Sequence, residues 1–279
     1  MERVIQIVLA GLILVAIGIF VSESRQQKPL ERATQEQGIN ALEQNQPVEK
    51  VSLPDFASIQ DVNQKKQAFQ AFLLPAIHQS NEQILEERTF LQALDFNNLS
   101  KPQARRLALL ADKYQQPRKA KQTKAQWRQA LLKKVDIIPP SLALAQAANE
   151  SAWGTSRFAT EGLNFYGQWC FSEGCGLVPE ERPDGKKYEV RLFKSPSESV
   201  QAYMTNLNAF HTYRDFRQLR LDLRNKNQVL TGEKLAKGLL AYSQRREEYI
   251  KEIQAMIRFN DWHLLDQDWV RSLSENQYK

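Results

Sequence analysis

The chain has 279 residues, of which 42% are hydrophobic and 25% charged, and its formal net charge is +6 at pH 7. These proportions exclude large-scale disorder and are sufficient for a membrane anchor, a spacer and one good-sized globular domain. The positive charge suits a polyanionic surface such as a bacterial wall. No pattern of a nucleic-acid module accompanies it, so nucleic acid is not a predicted partner.

An apolar run extends from Val4 to Val21 and is interrupted only by Gln6. Its length predicts a transmembrane helix within residues 1–21. A cleaved signal peptide is the alternative, although the sequence after Phe20 lacks a clear small-residue cleavage site. Residues 22–54 are rich in Gln, Glu and Lys and have too few large apolar residues to pack alone, so they are predicted to form a flexible linker.

Residues 55–138 are predicted to form an accessory helical region. Asp61 is the predicted N-cap of a first helix with apolar residues at three- and four-residue steps, and a second helix follows around Ile84 to Leu94. Ser100 with Pro102 indicates the start of a third helix, and Thr123 that of a fourth.

Pro139 and Pro140 precede a predicted helix from Ser141 to Trp153, which Gly154 ends. One face of this helix is small and apolar, which places Glu150 in surroundings that limit water; that face comprises Leu142, Ala145, Gln146 and Ala152. Burial raises a carboxyl pKa, and a raised pKa suits a general acid for glycoside cleavage. The periodicity alone equally allows Glu150 to cap a loop or to pair with Arg157.

The segment from Gly162 to Gly185 is rich in glycine, and the alternating residues Tyr188 to Phe193 follow it, which predicts a small β-hairpin lobe. Cys170 and Cys175 flank a turn signal and are predicted to form a short-loop disulfide, with two reduced thiols as the alternative. Zinc is disfavoured because two thiolates need further ligands and the three histidines are scattered, so no metal is predicted.

Helical spacing returns from Ser197 to Phe210, from Thr231 to Tyr242 and from Tyr249 to Ile257. Between the first two lies a basic run that predicts a solvated face of an amphipathic helix: Arg214, Arg217, Arg220 and Arg224. The predicted fold class is therefore α+β, predominantly α, with one small β element.

The run from Ala147 to Ser156 contains Glu150-Ser151-Ala152-Trp153-Gly154 and resembles the Glu-Ser-x-Trp-Gly helix end of the bacterial glucosaminidase family. Leu163-Asn164-Phe165-Tyr166-Gly167 is similar to the family's Asn-x-Phe-Gly cleft motif, with Tyr166 inserted before the glycine. Ser195 to Ser199 and Tyr249 to Ile253 resemble two later family motifs. The resemblance spans about Pro139 to Asp261, and Leu53 to Ala57 resembles one proteobacterial branch of the family.

The resemblance implies a lysozyme-like domain over residues 139–265, followed by a C-terminal tail over residues 266–279. It implies hydrolysis of the peptidoglycan bond after N-acetylglucosamine, without cofactor or metal, with Glu150 as the general acid. The family draws a second carboxylate from the hairpin lobe, for which Glu181 is the first candidate and Glu180 the second. Inverting, retaining and substrate-assisted mechanisms all stay open, as does the alternative that both glutamates are merely exposed charges.

The same resemblance, together with the aromatic composition, predicts a set of substrate-binding residues: Trp153, Asn164, Phe165, Tyr166, Tyr242 and Tyr249. The predicted partners are peptidoglycan glycan strands and, through the N-terminal helix, the cytoplasmic membrane, which places the catalytic domain in the periplasm on a single-pass inner-membrane anchor. The sequence identifies no protein partner. The competing functions are a lytic transglycosylase or muramidase, and a catalytically inactive, membrane-tethered wall-binding module.

Overall fold

A long helix, α1 (Val62–Ala93), leads the part of the chain that the computed structural model describes, residues 53–273. Its start is confirmed, because the Asp61 carboxylate accepts a hydrogen bond from the backbone N–H of Gln64 at 2.8 Å. The predicted division into two helices is wrong. Pro75 lies inside the helix without ending it, and the apolar positions continue along one buried face on both sides of it.

Two shorter helices follow, α2 (Lys101–Lys113) and α3 (Lys124–Lys134). Each begins with a capping box, in which a hydroxyl and a glutamine side chain satisfy each other's backbone N–H groups. Ser100 and Gln103 form the box of α2, while Thr123 and Gln126 form that of α3. Both predicted helix starts are confirmed.

Helix α4 (Pro140–Glu150) runs through the centre of the core, with its residues from Pro140 to Ala148 all buried. The first turn of α4 is capped by a side chain that is distant in the sequence. The Asp266 carboxylate accepts hydrogen bonds from the backbone N–H of Ser141 at 2.9 Å and from its hydroxyl at 2.6 Å. An anion at a helix N-terminus satisfies N–H groups that have no partner within the helix.

The predicted small β element is present, and it is a three-stranded antiparallel sheet. After α5 (Arg157–Gly162) come β1 (Trp169–Cys170), β2 (Gly176–Leu177) and β3 (Glu189–Arg191). The strand order is β1-β3-β2, with Trp169 opposite Val190 and Leu177 opposite the same residue on the other side. Residues 169–191 are called the β lobe below.

The remaining helices are α6 (Pro196–Ala209), α7 (Arg214–Asn225), α8 (Gly232–Ala236), α9 (Glu247–Phe259) and α10 (His263–Ser272), with 3-10 turns at His211–Tyr213 and Lys237–Leu239. The described residues are therefore α+β and predominantly helical, as predicted. Helix α10 was not predicted, and it occupies much of the expected tail. Its Asp266 is buried because it caps α4.

The basic run on α7 is not the solvated face that its spacing predicts, because Arg217 and Arg220 are buried. The Arg220 guanidinium donates to the backbone carbonyls of Asp136 and Ile137 at 2.9 and 3.0 Å. Arg224 contacts the Asp136 carboxylate at 2.7 Å. Burial raises the pKa of Asp136, but the charges of Arg88, Arg224 and Arg220 outweigh it and hold that pKa well below its usual range. Because one guanidinium can donate hydrogen bonds to several carbonyls at once, these bonds offset the free-energy cost of burying its charge.

One hydrophobic core runs through residues 53–273 and includes side chains from both the predicted accessory region and the predicted catalytic domain. Asn81 of α1 both donates to and accepts from the backbone of Ile138, at 2.8 and 3.0 Å. The predicted anchor and most of the predicted linker lie outside the described residues. Between residues 53 and 273, no helix is long and apolar enough to cross a membrane.

Candidate active site

The C-terminal end of α4 has an unusual backbone. Glu150 is the last helical residue, so the helix ends three residues earlier than predicted. Ala152, Trp153 and Gly154 then have positive φ angles of 50, 60 and 77°. For a residue with a Cβ this left-handed conformation costs roughly 1–2 kcal/mol. Ser151 stabilises the turn, because its hydroxyl donates to the Ala147 carbonyl at 2.6 Å and accepts from the Gly154 N–H at 2.9 Å.

Aromatic packing against α1 holds the same turn in place. A Cβ on Gly154 would lie 2.6 Å from a ring carbon of Phe56, so only glycine fits there. The half-buried Trp153 packs edge-on against Phe69 at 5.8 Å between ring centroids and against Trp262 at 5.6 Å. The Ser-x-Trp-Gly sequence therefore has a structural role: it ends the helix directly after Glu150.

Four side chains form a hydrogen-bonded series, called the relay below, that ends at Glu150. The Tyr203 hydroxyl donates to Gln146 Oε1 at 2.6 Å, and Gln146 Nε2 donates to the Tyr249 hydroxyl oxygen at 2.8 Å. The Tyr249 hydroxyl in turn donates to Glu150 Oε1 at 3.0 Å. Because Tyr249 already accepts from the amide, its own proton is directed to the carboxylate.

The electrostatic environment of Glu150 combines opposing effects. The residue is exposed on the protein surface, yet protein surrounds its carboxyl closely enough that desolvation raises the pKa. The hydrogen bond from Tyr249 and the charge of Arg245 oppose that rise. Within residues 53–273, Oε2 has no hydrogen-bond partner, in contrast to Oε1. The carboxyl is thus fixed at one oxygen while the other stays available to solvent or ligand.

A cluster of tyrosines surrounds the relay. Tyr242 stacks on Tyr249, with ring centroids 5.4 Å apart and planes 15° apart, and Tyr213 packs against Tyr242 at 5.9 Å. Burial raises the pKa of Tyr213 to about 12 and those of Tyr242 and Tyr249 well above their usual values. All three hydroxyls are therefore protonated donors at neutral pH, and Tyr213 and Tyr242 are half-buried, so part of each stays accessible.

Three of the predicted substrate-binding residues lie in the core. Asn164 donates to the carbonyls of Gln168 and Arg191, both at 2.9 Å, and so joins α5 to the β lobe. Phe165 has no exposed surface, and Tyr166 stacks on Tyr203 with ring centroids 3.9 Å apart. Contact between these side chains and a sugar would require the core to open. Of the other predicted binding residues, Tyr242 and Tyr249 lie beside Glu150, while Trp153 supports the turn after it.

The two candidate second carboxylates lie in the connection between β2 and β3. Glu181 is exposed, and the side chain of Glu180 is 84% exposed and 3.7 Å from the Arg157 guanidinium. Neither glutamate hydrogen bonds to Glu150 or to another member of the relay within the described chain. The structure therefore joins Tyr249 to Glu150 by a hydrogen bond and joins neither β-lobe glutamate to it in this way.

Cys170 and Cys175 form a disulfide that closes the connection between β1 and β2. Their sulfurs and a carboxylate oxygen of Glu189 lie within 4.8 Å of one another, but this cluster does not suit a metal ion, because both sulfurs are used in the disulfide. Glu189 instead accepts hydrogen bonds from the N–H groups of Gly174 and Gly176, which lower its pKa.

Sequence reasoning missed two members of the relay. Gln146 was grouped with a small apolar face, although a glutamine in an otherwise apolar helix, one turn before Glu150, is a local signal of a buried polar contact. Tyr203 has no such signal, since α6 contains many apolar residues and only the packing of α6 on α4 brings its hydroxyl to Gln146.

Two comparisons with known proteins gave matches. Residues 125–261 match the Glucosaminidase family model, described as mannosyl-glycoprotein endo-beta-N-acetylglucosaminidase. Protein bax of Escherichia coli strain K12 is 34% identical over 210 residues, which cover 75% of this chain and 74% of that protein. No solved structure matches the chain.

Proposed function

The chain belongs to the glucosaminidase family, and we propose that it hydrolyses the glycosidic bond after N-acetylglucosamine in peptidoglycan, with Glu150 as the general acid. The observation that carries the proposal is the relay, which fixes one oxygen of a partly desolvated carboxyl and leaves the other free. A general acid needs a proton at neutral pH and a fixed position beside the leaving oxygen.

In the proposed reaction, Glu150 Oε2 carries the proton and delivers it to the glycosidic oxygen as the bond breaks. Tyr249 then stabilises the carboxylate that remains, because its donated hydrogen bond favours the charged form. The half-buried edges of Tyr213 and Tyr242 provide hydroxyl donors and aromatic surface for the sugar beside the scissile bond.

The second carboxylate is Glu181 or, less favourably, Glu180. Both lie on the exposed connection of the β lobe, and a movement of this connection toward the cleft on glycan binding would bring one of them to the anomeric carbon. Such a closing cleft between a helical part and a β lobe is the lysozyme-like arrangement that the family resemblance implies.

We propose that the protein acts in the periplasm from the inner membrane, held by the apolar run from Val4 to Val21. Supporting this location are the peptidoglycan substrate and the disulfide between Cys170 and Cys175, which an oxidising compartment permits.

Mass spectrometry of purified sacculi digested by the full chain in detergent tests the reaction. Fragments with reducing-end N-acetylglucosamine are expected. Anhydromuramyl ends would instead identify a lytic transglycosylase, and reducing-end muramic acid a muramidase. Absence of any cleavage, with retained binding to sacculi, would support a wall-binding module.

A further inference from the structure

Positive charge is concentrated in one part of the chain. Between Lys101 and Lys134 the sequence has eleven lysine and arginine residues and a single acidic residue, Asp112. Because the whole chain has a net charge of only +6, the remaining residues together carry a net negative charge. The segment comprises α2, α3 and their connection, and it is not part of the relay or the β lobe.

Most of these cations are available to a partner. Seven of them are exposed and form no ion pair within residues 53–273, and we call them the basic surface: Lys101, Arg105, Arg106, Arg118, Lys119, Lys121 and Lys124. Ion pairing does occur nearby, since Lys113 contacts Glu87 at 2.6 Å. Clustered like charges raise each other's energy, so an unpaired cluster favours binding of a polyanion.

A groove with a volume of about 350 Å³ runs along α6. It is lined by Gln115, Asn206 and Phe210 near the end of α6, and by Glu198 near the start of that helix and Arg191 of the β lobe. Asn206 hydrogen bonds to Tyr213 of the tyrosine cluster. Gln115 lies directly after α2, at the beginning of the connection that carries Arg118, Lys119 and Lys121.

Lys134 connects two segments that border this groove, the residues after α2 and the end of α6. Lys134 Nζ donates to the carbonyls of Tyr114 and Gln115 after α2, at 2.8 and 3.1 Å, and to that of Ala209 at the end of α6, at 2.9 Å. The position of the basic connection relative to α6 is therefore fixed by direct hydrogen bonds.

The same surface is poorly suited to a lipid bilayer. A helix that lies in a membrane interface exposes a broad face of large apolar residues. Leu107 and Leu110 of α2 and the following Tyr114 are buried in the core, and only Leu109 of this helix is a strongly exposed large apolar side chain. A charged surface without an apolar face is better suited to binding a hydrated polyanion than to binding a bilayer.

We propose that the basic surface binds the carboxylate-bearing peptide stems of peptidoglycan while the attached glycan strand lies in the groove along α6. This inference rests on the proposed function, because it extends the contact of the same substrate away from Glu150. The stems carry free carboxylates and the glycan itself carries almost no charge, so the basic surface selects for strands that still have their stems.

The test uses the full chain in detergent and two soluble substrates: glycan strands with their peptide stems, and the same strands after an amidase has removed the stems. The variant is the triple substitution Lys119→Ala, Lys121→Ala and Lys124→Ala, whose exposed side chains form no hydrogen bond or ion pair within the described residues. A matched control removes three exposed cations elsewhere that likewise form no ion pair within residues 53–273: Lys226→Ala, Lys234→Ala and Lys237→Ala.

We expect the variant to raise KM for stem-bearing strands about tenfold at low salt with kcat unchanged, because surface charges act on encounter and weak binding. The rise in KM for stripped strands should be smaller, because amidase cleavage leaves each muramic acid with a single free lactyl carboxylate in place of the several carboxylates of the stem. Salt should remove the difference, and the control should behave as the unmodified chain. Equal effects on both substrates, no effect on either, or the same effect in the control would overturn the proposal.

Failure of the proposed function is distinguishable from failure of this inference. If the unmodified chain cuts neither substrate, the proposed function fails, and fluorescence anisotropy with labelled strands still tests the surface. Preferential binding of stem-bearing strands that the variant loses would support the surface. Binding that the variant retains, together with weaker pelleting on phosphatidylglycerol vesicles than the unmodified chain, would assign the surface to lipid and overturn the proposal.

Discussion

The relay and the β lobe are built in different ways. The relay consists of side chains held by packing between helices, and all of its hydrogen-bonding groups except Glu150 Oε2 have partners. The β lobe has three strands of two or three residues each, connected by the disulfide and by the hydrogen bonds that Glu189 accepts. If the proposed function is correct, we expect Glu150 to be in position before substrate binds and the second carboxylate to be brought into position by substrate binding.

The largest effect is expected at Glu150. Glu150→Gln removes the transferable proton but keeps an oxygen that can accept from Tyr249, so glycan cleavage should fall by about four orders of magnitude with an unchanged fold. Reducing-end release from sacculi measures the activity, and circular dichroism checks the fold. Cleavage near the unmodified rate would remove Glu150 from its assigned role.

The β lobe is tested next by Glu181→Gln, with Glu180→Gln as the matched neighbour. If Glu181 is a base or nucleophile, turnover should fall by about two to four orders of magnitude with little change in binding. A smaller loss would indicate a role in stabilising charge or orienting water. If both single variants and the double variant were as active as the unmodified chain, Glu150 would work without a β-lobe carboxylate, which would favour substrate assistance by the acetamido group.

Tyr249→Phe tests whether the Tyr249 hydroxyl donates its proton to the Glu150 carboxylate. Donation from Tyr249 lowers the pKa of Glu150, so its loss should raise that pKa and keep the acid protonated to higher pH. The alkaline limb of the kcat/KM profile should therefore move to higher pH, and kcat should fall about tenfold because the carboxyl is less well fixed. Tyr188→Phe is the control, since Tyr188 packs on Trp169 of the β lobe, away from the relay. An unshifted limb in Tyr249→Phe would contradict the assigned proton direction.

The smallest effect on turnover is expected from removal of the disulfide. Replacing both Cys170 and Cys175 with serine should cost about 2 kcal/mol, the value that chain entropy gives for so short a loop. Hydrogen exchange should rise in the β lobe but not in α4, and activity should fall less than tenfold. Reductant should reproduce these changes in the unmodified chain and leave the serine variant unaffected. Faster hydrogen exchange throughout α4 would show that the β lobe and the relay are not independent.

The helix starts and the family motifs could be predicted from the sequence because their signals are local. Ser100 and Thr123 each bond to a residue three positions later, so the capping boxes are visible in short stretches of sequence. The Glu-Ser-x-Trp-Gly sequence likewise identified Glu150. The length of α1 was not predicted, because the sequence pattern alone placed the start of a second helix around Ile84, whereas the buried face of one helix continues through that position.

Long-range contacts were decided by the tertiary structure alone. Tyr203 and Tyr249 reach Gln146 from 57 and 103 residues away, and Arg220 reaches the carbonyl of Asp136 across 84 residues. Helical periodicity assigns a polar side chain to solvent, but it cannot show that a facing helix provides the acceptor that makes burial favourable. For this reason the sequence determined where Glu150 lies along its helix, and only the fold determined which hydroxyl donates to it.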